Sequence, residues 1–587
     1  MQQTKTDDES RGQGGQGKLV LGVLLVILLV QGIALWIASS RLSPTVDEYP
    51  HLVAGLYYWQ TGEFNLYNVN PPLVRLWASL PLAIEEVAIP HEEFLASYRR
   101  EQRLEFDLGK AFVEQHGDKA FTFLVTARRM VVLLTLLGTL CLYWLAVELT
   151  DNQAAAMLAT FVWAFNPIVL GSGALLTCDI AAAGAGCAML AAWHSASRHP
   201  TILNYLCAGI LLGMAVLVKF VWLVFLVVWP VWEITRLLVE TRGRMANSLT
   251  LRTVLHLFLA LSAALFVLAL GYRMQRVGRP IGEFRFVSEL LKGHAEERTG
   301  NRFVNAGFAK LPVPIPATML EGLDQQWEDF DKPREAYLFG HWRQGGWRYY
   351  YVAALLIKLP AGLIVLAALG LRYAALDCKV AVWCLVPFCI VFLLVSSKSN
   401  YCEHTRYLWA VLPQLTVLSC IGMQVWGRWQ WGLRLALIGW ISLSGISTFP
   451  YGLAYTNEFA GGPTRASTCL AGSNIDWGQG WIAARDWLKT LRSQDAEVPI
   501  VIYDDRVPNL FALGYQFEAS KSLNQAQLEQ PIVLLLGTDG RQQLERKAWI
   551  EWSFGEPDVL LGYSVEVYYI PEGSSLPKGA GDYLWLK

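Results

Sequence analysis

Charge is scarce in this sequence. Of its 587 residues 17% are Asp, Glu, Lys or Arg and 54% are hydrophobic, too few charges to cover the surface of an ordinary soluble multidomain protein. A basic surplus is also missing. The net charge of −1 sets nucleic acid aside as a partner, since a nucleic-acid binder would show an excess of Lys and Arg. The ten cysteines include no CxxC and no His/Cys cluster, so a zinc site is not expected. Most of them, such as Cys141, Cys187, Cys207 and Cys389, lie inside apolar runs as small hydrophobes. Cys402 and Cys469 fall in polar segments, where a disulfide between them is one reading.

What the chain has instead is long apolar runs. Leu19 to Ser40 carries no charge between Lys18 and Arg41, and about 20 apolar residues span a hydrocarbon core. The run exceeds a signal-peptide core and no small-x-small cleavage pattern follows it closely. Further runs at about 130–147, 153–172, 178–196, 202–218, 219–235, 253–272, 349–371, 380–397, 407–425 and 435–450 predict roughly eleven transmembrane helices in all. The stretch from Leu203 to Trp232, broken by Lys219, is read as two short spans turning at that lysine. Residues 1–17, rich in Gln, Gly, Asp and Lys, read as a disordered cytoplasmic tail. The transmembrane part is expected over 18–450, with two long polar loops at 41–128 and 273–348. From 451 to 587, β-rich stretches such as Val498 to Tyr503 and Pro531 to Leu536 suggest a small soluble α/β domain.

Orientation follows from Lys and Arg in the short loops. With the N-terminus inside, Arg198, then Arg236, Arg242, Arg244 and Arg252, then Arg372 and Lys379, then Arg428 and Arg434 all fall on the cytoplasmic side. Both long loops and the C-terminal domain then share the outer face.

Chemistry-bearing residues gather on that face. Asp47 and Glu48 stand side by side just past the first span, with His51 close by; either solvated loop charges or a reactive acidic pair would look this way. Asn70-Pro71-Pro72-Leu73-Val74-Arg75 joins a rigid Pro-Pro element to a cation. Asp179 sits at the outer mouth of an uncharged run, and an ionisable residue there is read as facing a polar cavity unless it only ends a helix. Cations collect nearby: Arg75, Arg129, Lys219, Arg348, Lys358, Lys398, His404 and Arg406, each of which could also be a snorkelling anchor. Glycosyl transfer from a lipid phosphate needs such a set. A carboxylate takes the proton of the acceptor hydroxyl, and cations stabilise the departing phosphate. Trp327, Trp342, Trp347, Tyr349, Tyr350 and Tyr351 in the second loop suit sugar stacking or an interfacial belt equally well.

With these residues in view, the chain resembles the GT-C class of membrane glycosyltransferases, in particular bacterial relatives of the dolichyl-phosphate-mannose protein mannosyltransferases (family 39). The resemblance extends over most of 19–450. It is carried by the acidic pair with a nearby His, the Pro-Pro-Leu element, the Asp opening a later span, the Lys closing a short one and Arg406-Tyr407 heading a late one. It implies a catalytic base at Asp47 with Glu48 as neighbour or substitute, a donor-phosphate cation at Arg129, and an acidic site position at Asp179. The family's His-Pro-Pro-Leu-Gly-Lys element stands here as Asn70-Pro71-Pro72-Leu73-Val74-Arg75, with His and Gly both replaced. After residue 450 the chain departs from the eukaryotic members' β-trefoil. Asp476-Trp477 there would either join the substrate site or cap the helix expected near Trp481.

The expectation is therefore a GT-C-like polytopic α-helical membrane protein with a small extracytoplasmic α/β domain, in a bacterial inner membrane with its site facing outward. It would take a polyprenyl-phosphate sugar as donor and an extracytoplasmic protein, lipid or glycan as acceptor. Asp47 is the proposed base; Arg75, Arg129, Lys219 and Arg406 are the proposed phosphate ligands, with His51, Asn70, Asp179, Asp476 and Trp477 as further substrate contacts. No cofactor is required, although Asp47, Glu48 and Asp179 could hold Mg²⁺ or Mn²⁺. Two other readings stay open: a secondary transporter, against which stands the lack of an internal hydropathy repeat, and a non-catalytic membrane subunit or glycan-binding protein that keeps the fold without the chemistry.

Overall fold

The computed structural model describes residues 2–90, 103–240, 247–293, 299–374, 379, 381–397, 402–421, 431–492, 500–503, 531–548 and 555–574. Arg242, Arg244, Lys398, Arg428 and Val498, all used in the sequence reading, lie outside the described residues. The chain is mostly helical, and it is an integral membrane protein. Four described helices are long and apolar enough to cross a membrane, or five if a bent pair is one span, fewer than the eleven runs in the sequence. Part of the difference lies in runs that break into helices too short to span, as at Asn166, Lys219 and Pro360, and part in runs that reach beyond the described residues.

The first helix, α1 (Gln2–Arg41), continues back through the segment composition reads as a tail, since extending a formed helix adds a hydrogen bond per residue. Its Leu19, Leu25 and Leu29 are exposed as a lipid-facing side would be, while Gln31, Leu35 and Ala38 are buried. The first polar loop folds into α2 (Glu48–Thr61), α3 (Leu73–Ile84) and α4 (Leu104–His116). Next comes α5 (Asp118–Thr150), 33 residues long, or about 50 Å. That exceeds a hydrocarbon core of about 30 Å, so the helix starts before the expected span and carries Arg128 in its first third.

Three interruptions matter for the site. Between α6 (Gln153–Ala164) and α7 (Pro167–Ser172), Asn166 accepts a bond from the Ile168 N–H at 2.9 Å and Pro167 opens the new helix. After α8 (Asp179–Arg198), α9 (Ile202–Val218) ends at Lys219, whose backbone is extended, before a short 3₁₀ turn leads into α10 (Phe225–Glu240). The long helix α11 (Asn247–Gly271) then packs on α9, where Gly209 lets the two come so close that a Cβ would lie 2.1 Å from the Ala260 carbonyl oxygen.

The second polar loop contributes α12 (Ala317–Asp331) and a hairpin of β1 (Glu335–Leu338) with β2 (His341–Gln344). The third interruption separates α13 (Tyr350–Lys358) from α14 (Ala361–Ala374), bent by 116°. Pro360 cannot supply a helical N–H, so carbonyls before it need other donors. Asn457 gives its backbone N–H to Ile357 O at 2.8 Å and its side-chain amide to Leu359 O at 3.0 Å. Helices α15 (Val386–Ser396), α16 (Leu412–Ile421) and α17 (Trp431–Thr448) complete the apolar part.

Beyond it, α18 (Trp481–Arg492) covers a four-stranded sheet of β3 (Ile500–Tyr503), β4 (Ile532–Gly537), β5 (Val559–Leu561) and β6 (Val565–Ile570) in the order β3-β4-β6-β5. The β3-β4 pair is parallel and the rest antiparallel. Trp481, Ile482, Ala484 and Leu488 pack on Val533, Leu535, Val565 and Val567. The helix α19 (Thr538–Ala548) follows β4 directly. This part is stitched to the end of α1: the Ser43 hydroxyl accepts from the Trp481 and Ile482 N–H groups, at 2.8 and 3.3 Å.

Candidate active site

A cavity of about 870 Å³ opens where these pieces meet. Asp47, His51 and Asn70 line it from the first polar loop, Asp179 and Lys219 from the ends of α8 and α9, and Arg406 and Trp477 from late in the chain. Asp47 precedes α2 but makes no capping bond to it. Its carboxylate is therefore presented to the cavity, where it accepts from Arg406 at 3.2 Å. The Arg406 guanidinium lies 3.9 Å from the centre of the Trp477 ring, a cation–π contact. Lys219, at the broken end of α9, pairs with Asp179 at the start of α8, both side chains 8% exposed.

Burial pushes the Asp47 carboxyl above its ordinary value; the Arg406 and Arg103 cations pull it back, and Asp179 and Glu48 push it up again. His51 is held well below the usual imidazole value by burial and by the nearby Arg75, Arg406 and Arg103. It is thus a neutral ring at pH 7, tilted against the Tyr67 ring with 4.6 Å between centres. His404 is likewise driven down by burial and by Arg406, Arg334 and Lys219, and its Nδ1 meets the Ser473 hydroxyl at 2.6 Å.

Four expected residues lie outside the cavity lining. Glu48 is fully buried: it accepts from Arg128 Nε at 2.7 Å, from the N–H groups of Thr45 and Leu176 at 2.8 Å each, and from the Thr45 hydroxyl at 3.0 Å. A carboxylate so occupied cannot also receive a substrate proton, and its role is to hold the end of α1 to α5. Arg75 is buried too, giving its donors to the Tyr58 hydroxyl at 2.6 Å, Tyr67 O at 2.8 Å, Pro71 O at 3.3 Å and Asn70 O. It clamps the Pro-Pro turn from behind and leaves Asn70 facing the cavity. Arg129 turns to the Trp36 ring, 4.2 Å away, because the inward helical position belongs to Arg128. Asp476 accepts from the N–H groups of Gly478 and Asp539, each at 3.0 Å, and so fixes the turn that presents Trp477.

The expected trio for a metal is accordingly split: Asp47 and Asp179 face the cavity and Glu48 does not. Among the described residues no group of three or more His, Cys, Asp or Glu is placed to hold a metal ion. No disulfide joins Cys402 to Cys469; each is a thiol.

Other lining residues escaped the sequence reading. Arg103 pairs with Asp329 at 3.2 Å and with Glu105, and it covers the Tyr67 ring. Arg334 pairs with Glu403 at 3.3 Å. Both arginines sit in mixed-charge stretches that look like solvated loop, with no periodicity to mark them. Lys358 was expected among the outer cations; its ammonium instead donates to Leu453 O at 2.8 Å and Asn474 O at 2.7 Å. Asn474, which the sequence gives no role, accepts from the Thr405 N–H and hydroxyl at 2.9 and 2.7 Å. It donates to Tyr350 Oη at 3.0 Å and Glu403 O at 2.6 Å, which sets the backbone just ahead of Arg406.

The family model for dolichyl-phosphate-mannose-protein mannosyltransferase matches residues 109–275, a stretch that contains Arg128, Asp179 and Lys219. The chain resembles the protein mannosyltransferases of the GT-C class. The match covers under half of the chain, and it supports a membrane glycosyltransferase of that type. No curated relative matches the sequence. Among solved structures, ArnT from Cupriavidus metallidurans bound to undecaprenyl phosphate is similar at 12% identity and a TM-score of 0.44, over 93% of this chain and 98% of that one. AglB from Archaeoglobus fulgidus, an archaeal oligosaccharyltransferase in complex with an inhibitory peptide and a dolichol-phosphate, is similar at 12% identity and a TM-score of 0.43, over 83% of this chain and 62% of that one. At scores this low the likenesses stand as resemblances alone.

Proposed function

We propose that this protein transfers a sugar from a polyprenyl-phosphate carrier to an acceptor hydroxyl, or an equivalent nucleophile, on the extracytoplasmic side of the membrane, with inversion. The observation that carries the reading is one cavity in which a carboxylate base, Asp47, lies beside two cationic side chains, Arg406 and Lys219, at the ends of apolar helices. Asp47 takes the proton from the acceptor as its oxygen bonds to the anomeric carbon; the bond from that carbon to the phosphate oxygen breaks, and the lipid phosphate leaves. Because no carboxylate bonds to the sugar, a single displacement inverts the configuration. Lys219 and Arg406 offset the charge growing on the phosphate. A phosphate drawing on Arg406 also relieves Asp47 of a cation that lowers its basicity.

The family match makes a mannosyl donor the first to test. Lys219 and Arg406 supply the positive charge that the leaving group needs. A divalent ion, if used, would take its ligands from Asp47 and Asp179, and transfer that persists in excess EDTA excludes it. The decisive experiment measures transfer of radiolabelled sugar from a panel of polyprenyl-phosphate sugars into membrane extracts, comparing the native protein with Asp47→Asn at matched expression. Transfer from one donor that is lost in the variant supports the reading. Failure of every donor with the native protein overturns it in favour of transport or a non-catalytic subunit, and full activity in Asp47→Asn removes Asp47 as base.

A further inference from the structure

The hairpin of the second polar loop turns one whole face into the cavity. In its register Glu335 stands opposite Gln344 and Tyr337 opposite Trp342. Alternate strand residues share a face, and these four all line the cavity. Of the intervening residues, Leu338 is buried in the apolar core, and Ala336, also buried, borders the cavity between them. The two rings meet edge to face, 5.1 Å between centres, and both are partly exposed.

The platform is firmly held. Tyr337 gives its hydroxyl hydrogen to Ser467 O at 2.9 Å, and the Phe339 N–H bonds to Cys469 O at 3.0 Å. From the C-terminal sheet, Asp539 and Gln543 of α19 line the same cavity. Two aromatic rings flanked by a carboxylate and primary amides are the composition that recognises a pyranose: the rings cover its C–H face while Glu335, Gln344 and Gln543 bond its hydroxyls. The cations of the proposed donor site stand on the apolar helices, so lipid reaches the cavity from that end. The hairpin and α19 belong to polar segments instead.

We propose that the hairpin face is a carbohydrate subsite and that the acceptor is itself a glycan, bound on Trp342 and Tyr337 with its hydroxyl directed to Asp47. The inference rests on the glycosyl-transfer reading above and narrows its acceptor from protein, lipid or glycan to glycan.

Binding can be tested without catalysis, by saturation-transfer NMR of mannotriose, maltotriose and chitotriose on the full-length protein in lipid nanodiscs. At least one trisaccharide is expected to bind. Trp342→Ala should weaken it about tenfold or more, as loss of a partly buried aromatic anchor does, and Trp342→Phe should keep most of it by retaining a ring. Saturation should fall on the sugar's C–H protons. No binding of any trisaccharide, or binding that Trp342→Ala leaves unchanged, overturns the subsite. Trp342-dependent binding of a Ser/Thr-rich peptide in place of any sugar would overturn it in favour of a protein acceptor. Trisaccharide binding in a protein that transfers from no donor would refute the enzyme reading while leaving the subsite standing.

Discussion

Asp47 and Glu48 are neighbours in sequence and opposites in setting. Helix geometry turns successive side chains by about 100°, so at the start of α2 one carboxylate meets the cavity and the other meets Arg128. Asp47→Asn is expected to lower transfer by about 10²- to 10⁴-fold, the usual worth of a positioned base, with little change in thermal stability. Glu48→Gln should do the reverse in kind: breaking a buried ion pair costs about 3–5 kcal/mol, visible as a lower unfolding midpoint and poor yield. The pH dependence follows from burial. Burial favours the neutral acid and raises the Asp47 pKa, so the basic form is lost as pH falls, and the acid limb of kcat/KM should lie above the ordinary value of about 4. Arg103→Gln removes one of the cations that hold this carboxyl down, and should move the limb further up; a limb that stays in place would remove Arg103 from the electrostatics of the base.

Element by element, the site is built from helix ends and breaks. Lys219 reaches Asp179 because α9 stops there, and Asn70 faces inward because Arg75 holds the Pro-Pro turn. Asn474 binds the segment ahead of Arg406 through both ends of its amide. Asn474→Ala removes those bonds together, and each buried group left without a partner costs about 1–3 kcal/mol. Expected outcomes are a lower unfolding midpoint and a weakened donor interaction, read as a raised donor KM. Gly209→Val serves as a contrast far from the cavity. Its new side chain would meet the Ala260 backbone, so α9 and α11 must separate and folded yield should drop without any particular effect on donor KM.

Across the whole molecule, the proposed orientation places the hairpin outside and the short connection between α8 and α9 inside. An impermeant maleimide applied to intact cells should label Gln344→Cys above the native background and leave Thr201→Cys unlabelled until the membrane is opened; the opposite pattern would invert the topology. The membrane character, the apolar runs and the break at Lys219 were legible because lipid imposes length and polarity rules on any helix that enters it. Asp47, Asp179, Lys219 and Arg406 were legible for the same reason, as charges beside apolar runs are too costly to be idle. Composition could not tell Glu48 from Asp47, or Arg128 from Arg129, because adjacent residues of one type differ only in the direction their helix turns them. Nor could it find Arg103 or the role of Asn474, whose partners lie far away in the chain, or single out Trp342 from the other second-loop aromatics as one ring of a hairpin face. What the sequence determined by itself was a polytopic membrane protein with acids and cations at the ends of its apolar runs. Tertiary structure alone decided which of them share a cavity, since the Asp47–Arg406 pair spans 359 residues and only long-range packing can close that distance.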